Sequence, residues 1–227
     1  MFGACWSLVE MFRAEFLGVV AGVLLAFGPV STNAATLSLV GGTADAIDGD
    51  FNPSNSGGAA KGDALTVFTG GAPGGLKVSG KAKVTYTFIG FEAGAVNSFV
   101  TGAGTLKNKG TGGSVFGDAI STVVSAGFLP FSFVTTGLAI ANQSITNGGG
   151  SGYGLFGLAF SAISADGKSV LAFFDDGRPV DSDFDDMIVR IDISDLRMPA
   201  PVPVPAAGLL LLTALGGIAA LRRRARV

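Results

Sequence analysis

Lys81-Ala-Lys-Val-Thr-Tyr-Thr-Phe-Ile-Gly-Phe91 alternates through its middle, with Val84, Tyr86 and Phe88 on one parity and Thr85 and Thr87 on the other. Side chains in an extended chain point to opposite faces at successive residues, so this spacing predicts a strand with one buried face. Lys81 and Lys83 continue the polar parity, which suits a solvent face or a sheet edge. Similar stretches lie on both sides: 36–40 and 65–69 upstream, then 97–101, 114–117, 130–135, 153–163, 168–174 and 187–193 downstream. Gly-rich turns such as Gly-Gly-Ala-Pro-Gly-Gly75 separate them, and 41–63 reads as one long loop rich in Gly, Asn, Ser and Asp. Residues 118–127 fit either a short helix or a further strand. There is no long amphipathic helix and no repeat of fixed period. Many short strands with Gly turns predict an all-β fold, a β-sandwich or jelly roll. Phe88, Phe99, Phe131, Phe133, Phe160 and Phe174 fall inside strands and are expected in its core.

Both ends of the 227-residue chain differ from this middle. Residues 1–15 carry one basic residue, Arg13, residues 16–30 are apolar, and Thr32-Asn-Ala34 supplies small residues. That order is the order of an export signal. Cleavage is expected after Ala34, with Ala35 as the alternative; an uncleaved anchor is the other reading of the segment. At the far end stand Pro199-Ala-Pro-Val-Pro-Val-Pro205, an uncharged run from Ala206 to Leu221, and Arg222, Arg223, Arg224 and Arg226. Alternating prolines remove backbone donors and fix φ, which predicts an extended spacer. At ~1.5 Å per residue the apolar helix would be roughly 24 Å long, against a bilayer core of about 30 Å. Local thinning and snorkelling of Arg222 could close that gap. The arginines are expected on the cytoplasmic side. The domains expected are therefore 1–34 (signal helix), 35–198 (β domain) and 199–227 (spacer, single hydrophobic helix and basic end).

Composition excludes several chemistries. The chain has no His, and its one Cys and one Trp, Cys5 and Trp6, leave with the signal. Ser–His–Asp and Cys–His catalysis, His-ligated zinc and disulfides are all ruled out for the exported part. Five of the 15 basic residues and two of the 17 acidic ones lie in the two ends, leaving 10 against 15, a net charge of −5. No basic face for nucleic acid is expected from that balance. Glu92 is the one glutamate of the β domain. It could pair with an Asp in a hydrolase, but no carboxylate pair is placed by spacing. The Gly-rich strings lack the Gly-Lys-Ser/Thr of a phosphate loop. With no Trp and only Tyr86 and Tyr153, a lectin role lacks its usual stacking residues.

One acidic stretch stands out: Asp175-Asp-Gly-Arg-Pro-Val-Asp-Ser-Asp-Phe-Asp-Asp186. Like charges packed this closely repel, and a hard cation would hold them together; oxygen ligands favour Ca²⁺ over zinc. Asp176, Asp181, Asp183 and Asp185 are the expected ligands. The alternate spacing of Asp181, Asp183 and Asp185 is that of an EF-hand loop. Asp186 stands where that loop needs Gly, and strand rather than helix follows, so a hairpin loop carrying Ca²⁺ is the sharper reading. The plainer one is a solvated acidic turn with Arg178 and Arg190 as partial counter-charges. A weaker group, Asp45, Asp48 and Asp50, reads as a turn.

Val202-Pro203-Val204-Pro205-Ala206, the Leu-rich run and the Arg cluster resemble the VPLPA-type branch of the PEP-CTERM sorting domain, with Val204 where the commonest form has Leu. The resemblance covers about thirty residues and implies processing near the proline motif by an exosortase, a membrane-embedded cysteine transpeptidase. The LPxTG motif is absent. Residues 87–99, 129–133 and 175–186 are similar to β-sandwich ectodomains found ahead of such tails, whose biochemical role is generally unknown. Together these features imply a non-enzymatic exported protein of a Gram-negative bacterium. It would meet the secretory translocon and exosortase, pause in the inner membrane, and reach the surface or an exopolysaccharide matrix. A Ca²⁺-dependent adhesin or glycan-binding module, self-associating through sheet edges, is the alternative. A secreted hydrolase using Asp residues is the second.

Overall fold

The computed structural model describes residues 34–48, 50–68, 74–136, 143–149, 156–177, 183–196, 214–216 and 222. The chain separates into two units, Met1–Ala34 and Ala35–Val227, and the strands all lie in the second. In chain order they are β1 (Leu37–Val40), β2 (Thr43–Ala46), β3 (Ala64–Phe68), β4 (Gly75–Val78) and β5 (Ala82–Gly90). There follow β6 (Val96–Thr101), β7 (Gly104–Lys107), β8 (Ala119–Val124), β9 (Gly127–Phe128) and β10 (Phe131–Thr136). The last are β11 (Gln143–Thr146), β12 (Gly157–Ser161), β13 (Ser169–Asp175) and β14 (Met187–Asp195). They form three antiparallel sheets, of order β1-β4-β9, β11-β10-β6-β7 and β2-β3-β12-β13-β14-β5-β8. The fold is all-β. No helix among the described residues is long and apolar enough to cross a membrane.

β5 behaves as its alternation requires. Ala82, Val84, Tyr86 and Phe88 are buried, while Lys83 is exposed. It is an interior strand, between β14 and β8, so Lys83 marks a solvent face and no edge. Leu37, Leu76 and Val78 of the first sheet, Phe99, Leu106, Phe131, Phe133 and Ile145 of the second, and Val84, Phe88, Phe160 and Phe174 of the third meet in one core. All six phenylalanines expected inside are at most 2 % exposed. Phe133 stacks on Phe174 at 4.9 Å and 3°, and Phe99 lies 5.0 Å from Tyr86. Each aromatic pair of this kind contributes about 0.5–1.5 kcal/mol beyond its buried area.

A second core lies on the other side of the seven-stranded sheet. Leu65, Val67, Ala159, Phe173 and Ile188 are covered there by Ile47, Phe51 and Phe184. Residues 47–63 are thus a packed flap. This two-sided burial explains why β12 and β13 read as continuous apolar runs.

Several expectations need correction. The loop predicted over 41–63 contains β2, whose Thr-Ala-Asp-Ala is exposed at all four positions and therefore carries no apolar alternation. Its edge pairing with β3 makes it a strand. Residues 114–117 form a turn: Asp118 Oδ2 accepts from Val115 N at 2.9 Å, the Asp118 N–H returns a bond to Val115 O, and Gly117 has φ +92°. A local side chain that bonds the backbone competes with a sheet ladder. The ambiguous stretch 118–127 is strand, as β8. Within the expected sorting tail, Ala214–Gly216 and Arg222 are helical and exposed. Val202, Pro203, Val204, Pro205, Ala206, Arg223, Arg224 and Arg226 lie outside the described residues, as does most of the expected signal; Ala34 is described and exposed.

Candidate metal centre

Three connections meet at one end of the seven-stranded sheet, through residues 50–55, 91–95 and 183–186. Asn52 N–H donates to Asp185 Oδ2 at 2.5 Å, and Glu92 N–H donates to the Asp185 carbonyl at 2.9 Å. Ser54 locks the first two loops together: its N–H and hydroxyl both donate to Phe91 O, and its oxygen accepts from Phe91 N–H. Gly90 permits the approach. A Cβ there would sit 2.0 Å from the Asn55 carbonyl oxygen, closer than any side chain allows.

Phe184 aims the carboxylates. It is the one described non-glycine residue with positive φ, at 62°. A bulky residue in that region costs on the order of 1–3 kcal/mol. Its ring is buried in the second core at 1 % exposure, and burial of a Phe side chain is worth roughly 1.5–3 kcal/mol, so the two are of like size. The consequence is a kink that turns its neighbours together. Asp183 Oδ1 accepts from Asp185 N–H at 3.4 Å, and Asp183, Asp185 and Glu92 each place a carboxylate oxygen within 4.8 Å of the other two.

Two oxygens bound to one Ca²⁺ at about 2.3–2.6 Å cannot lie more than roughly 5 Å apart. The observed spacing meets that limit. All three donors are hard anionic oxygens, and the set contains no N or S ligand, which suits Ca²⁺ and not zinc. Asp183 and Asp185 are 4 % and 1 % exposed, whereas Glu92 is exposed and can close on an ion from solvent. Burying carboxylates is expensive without a compensating charge or hydrogen bond. Asp186 is pushed up to about 8 by burial, and by repulsion from Asp176, Asp175 and Asp183, although the Asp176 N–H opposes this by donating to it.

Of the expected ligands, Asp183 and Asp185 are brought together. Asp176 stands outside the trio: its Oδ2 accepts from Asn97 Nδ2 at 2.6 Å, tying the loop to β6. Asp181, like Arg178, lies outside the described residues. Glu92 was not among the expected ligands, because it is far from the acidic stretch in sequence. Its only signal is that it is the sole glutamate of the β domain and follows directly on the clearest strand. The strand expected after the acidic stretch is β14, which begins at Met187. Asp45, of the weaker acidic group, lies on β2 and accepts from the Ala46 N–H. Comparison with protein-family models, curated proteins and solved structures finds no match for this chain.

Proposed function

We propose that this chain is an exported, non-enzymatic β-sandwich protein of the cell surface or extracellular matrix, whose acidic loop is held by Ca²⁺. The observation that carries the ion is the convergence of Glu92, Asp183 and Asp185 within 4.8 Å. Two of the three carboxylates are closed off from solvent, which suits an enclosed ion better than a sugar ring undergoing hydrolysis. The ion would cross-link the loop that bears Glu92 to the loop that bears Asp183 and Asp185, and so stiffen one end of the domain outside the cell. The export signal, the proline spacer and the resemblance to exosortase substrates support the route. The tail, Val202–Ala206 with Arg222, Arg223, Arg224 and Arg226, serves as a transient membrane address that is processed near the prolines.

Calorimetry on the processed chain tests the ion. Ca²⁺ should bind and raise Tm, and Glu92→Gln should weaken binding about tenfold or more by removing one anionic ligand. Absence of both heat and thermal stabilisation would eliminate the ion. Mass spectrometry tests the route: peptides running through Leu209 and past Arg226 in the surface form would mean a permanent anchor.

A further inference from the structure

From Ala35 onward the chain is bonded residue by residue. Ala35 N–H donates to Asp195 Oδ1 at 2.9 Å, and Ala35 O accepts from Lys168 Nζ at 2.5 Å. Thr36 N–H donates to Ser79 Oγ at 2.9 Å, and Leu37 N–H donates to Gly167 O at 2.8 Å. Ala35 itself is buried at 3 % exposure, whereas Ala34 is exposed. An interior peptide N–H is ordinarily satisfied by a carbonyl. This one instead meets a carboxylate at the end of β14, which Lys168 Nζ also contacts at 3.0 Å to each oxygen.

We propose that the export signal is cut between Ala34 and Ala35, and that the α-ammonium freed on Ala35 is held by Asp195 as an ion pair that fastens the mature amino terminus to the end of β14. The proposal rests on the reading of this chain as exported. A signal peptidase of the secretory pathway adds water across the amide. The hydroxyl goes to the Ala34 carbonyl carbon, the C–N bond breaks, and the nitrogen takes the proton. At neutral pH the new amine takes a second proton from solvent. A nitrogen that offered one neutral N–H then offers three charged donors at the same place, and charge-assisted bonds are roughly twice as strong as neutral ones. Asp195 is prepared for this: Lys168 and the Ala35 N–H already hold it below the usual carboxylate range. Cleavage one residue later would put the charge on Thr36, whose nitrogen faces the neutral Ser79 hydroxyl. The geometry therefore separates two cleavage positions that the residue types alone leave open.

Amino-terminal sequencing of the exported chain, followed by competitive acetylation of its α-amine measured against exposed Lys83, tests this. The expected result is a chain that begins at Ala35 and is acetylated several-fold more slowly than Asp195→Asn. A chain that begins at Thr36, or one that begins at Ala35 but reacts at the same rate in both proteins, overturns the ion pair and leaves export intact. Retention of the signal overturns the export processing itself. Should Asp195→Asn fail to fold, Lys168→Met serves: Asp195 then holds the ammonium alone and acetylation should slow further, whereas faster reaction overturns the proposal.

Discussion

Replacing Asn147 with leucine should cost the fold about 2–6 kcal/mol, the sum of one orphaned buried donor and two weakened acceptors. Asn147 follows β11 and is 5 % exposed. Its Oδ1 accepts from Leu76 N–H at 2.7 Å, and its Nδ2 donates to Leu76 O and to Leu129 O, each at 2.8 Å. It thereby bridges β4 and the β9–β10 turn, where Leu76 and Leu129 are fully buried. The two carbonyls are not stranded by the substitution, because Leu76 O keeps the Leu129 N–H and Leu129 O keeps the Phe131 N–H. The Leu76 N–H loses its side-chain acceptor. A buried donor left so costs about 1–3 kcal/mol, and each of the two lost bonds about 0.5–1.5. In a domain of this size the loss should lower Tm by roughly 4–24 °C, at about 2–4 °C per kcal/mol. Asn147→Asp gives a sign test. Its introduced carboxylate keeps the acceptor but faces two carbonyls in a buried site, so its folded pKa is raised and the deficit should grow as pH rises above about 4. Urea denaturation at several pH values measures both. A cost below about 1 kcal/mol for Asn147→Leu would refute the accounting, because water would then be reaching Leu76.

Gly90→Ala should destabilise the domain and weaken Ca²⁺ binding together, since the added Cβ would strike the Asn55 carbonyl at 2.0 Å and push the flap off the loop that bears Glu92; unchanged Tm and affinity would contradict the close approach. Without Ca²⁺, Asp186 should make the fold less stable as pH rises. Its folded pKa, near 8, lies above its unfolded value of 3.8, so the native chain holds the extra proton between those limits and stability falls across that window, by up to about 1.4 kcal/mol per pH unit. Saturating Ca²⁺ should flatten the slope by favouring the carboxylates, which urea midpoints in EDTA and in Ca²⁺ at pH 5 and 8 will show. A Ca²⁺-free midpoint that rises with pH over this window would contradict the assignment.

The parts of the fold legible in the sequence are those in which one face is buried and the other wet, as in β5, where alternation reports burial directly. β12 and β13 were legible for the opposite reason, since burial on both faces leaves an unbroken apolar run. β2 was not, because an exposed edge strand of small and polar residues has no pattern to read. β4, β7 and β11 are not legible either: each is four residues long, and β4 begins at Gly75, the last residue of a Gly-rich turn. At the site, charge density marked Asp183 and Asp185. Nothing local marked Glu92, which arrives through the pairing of β5 with β14. Nor does the sequence announce that Phe184 takes a left-handed backbone, because the reason is a pocket built from Phe51, Phe173 and Ile188, distant in sequence or on other strands.

The most direct test of the account is a crystal structure of the processed chain grown with Ca²⁺. One ion is expected there, with oxygens of Glu92, Asp183 and Asp185 all at about 2.3–2.6 Å. A structure at millimolar Ca²⁺ in which Glu92 turns to solvent and no ion touches Asp183 or Asp185 would contradict it.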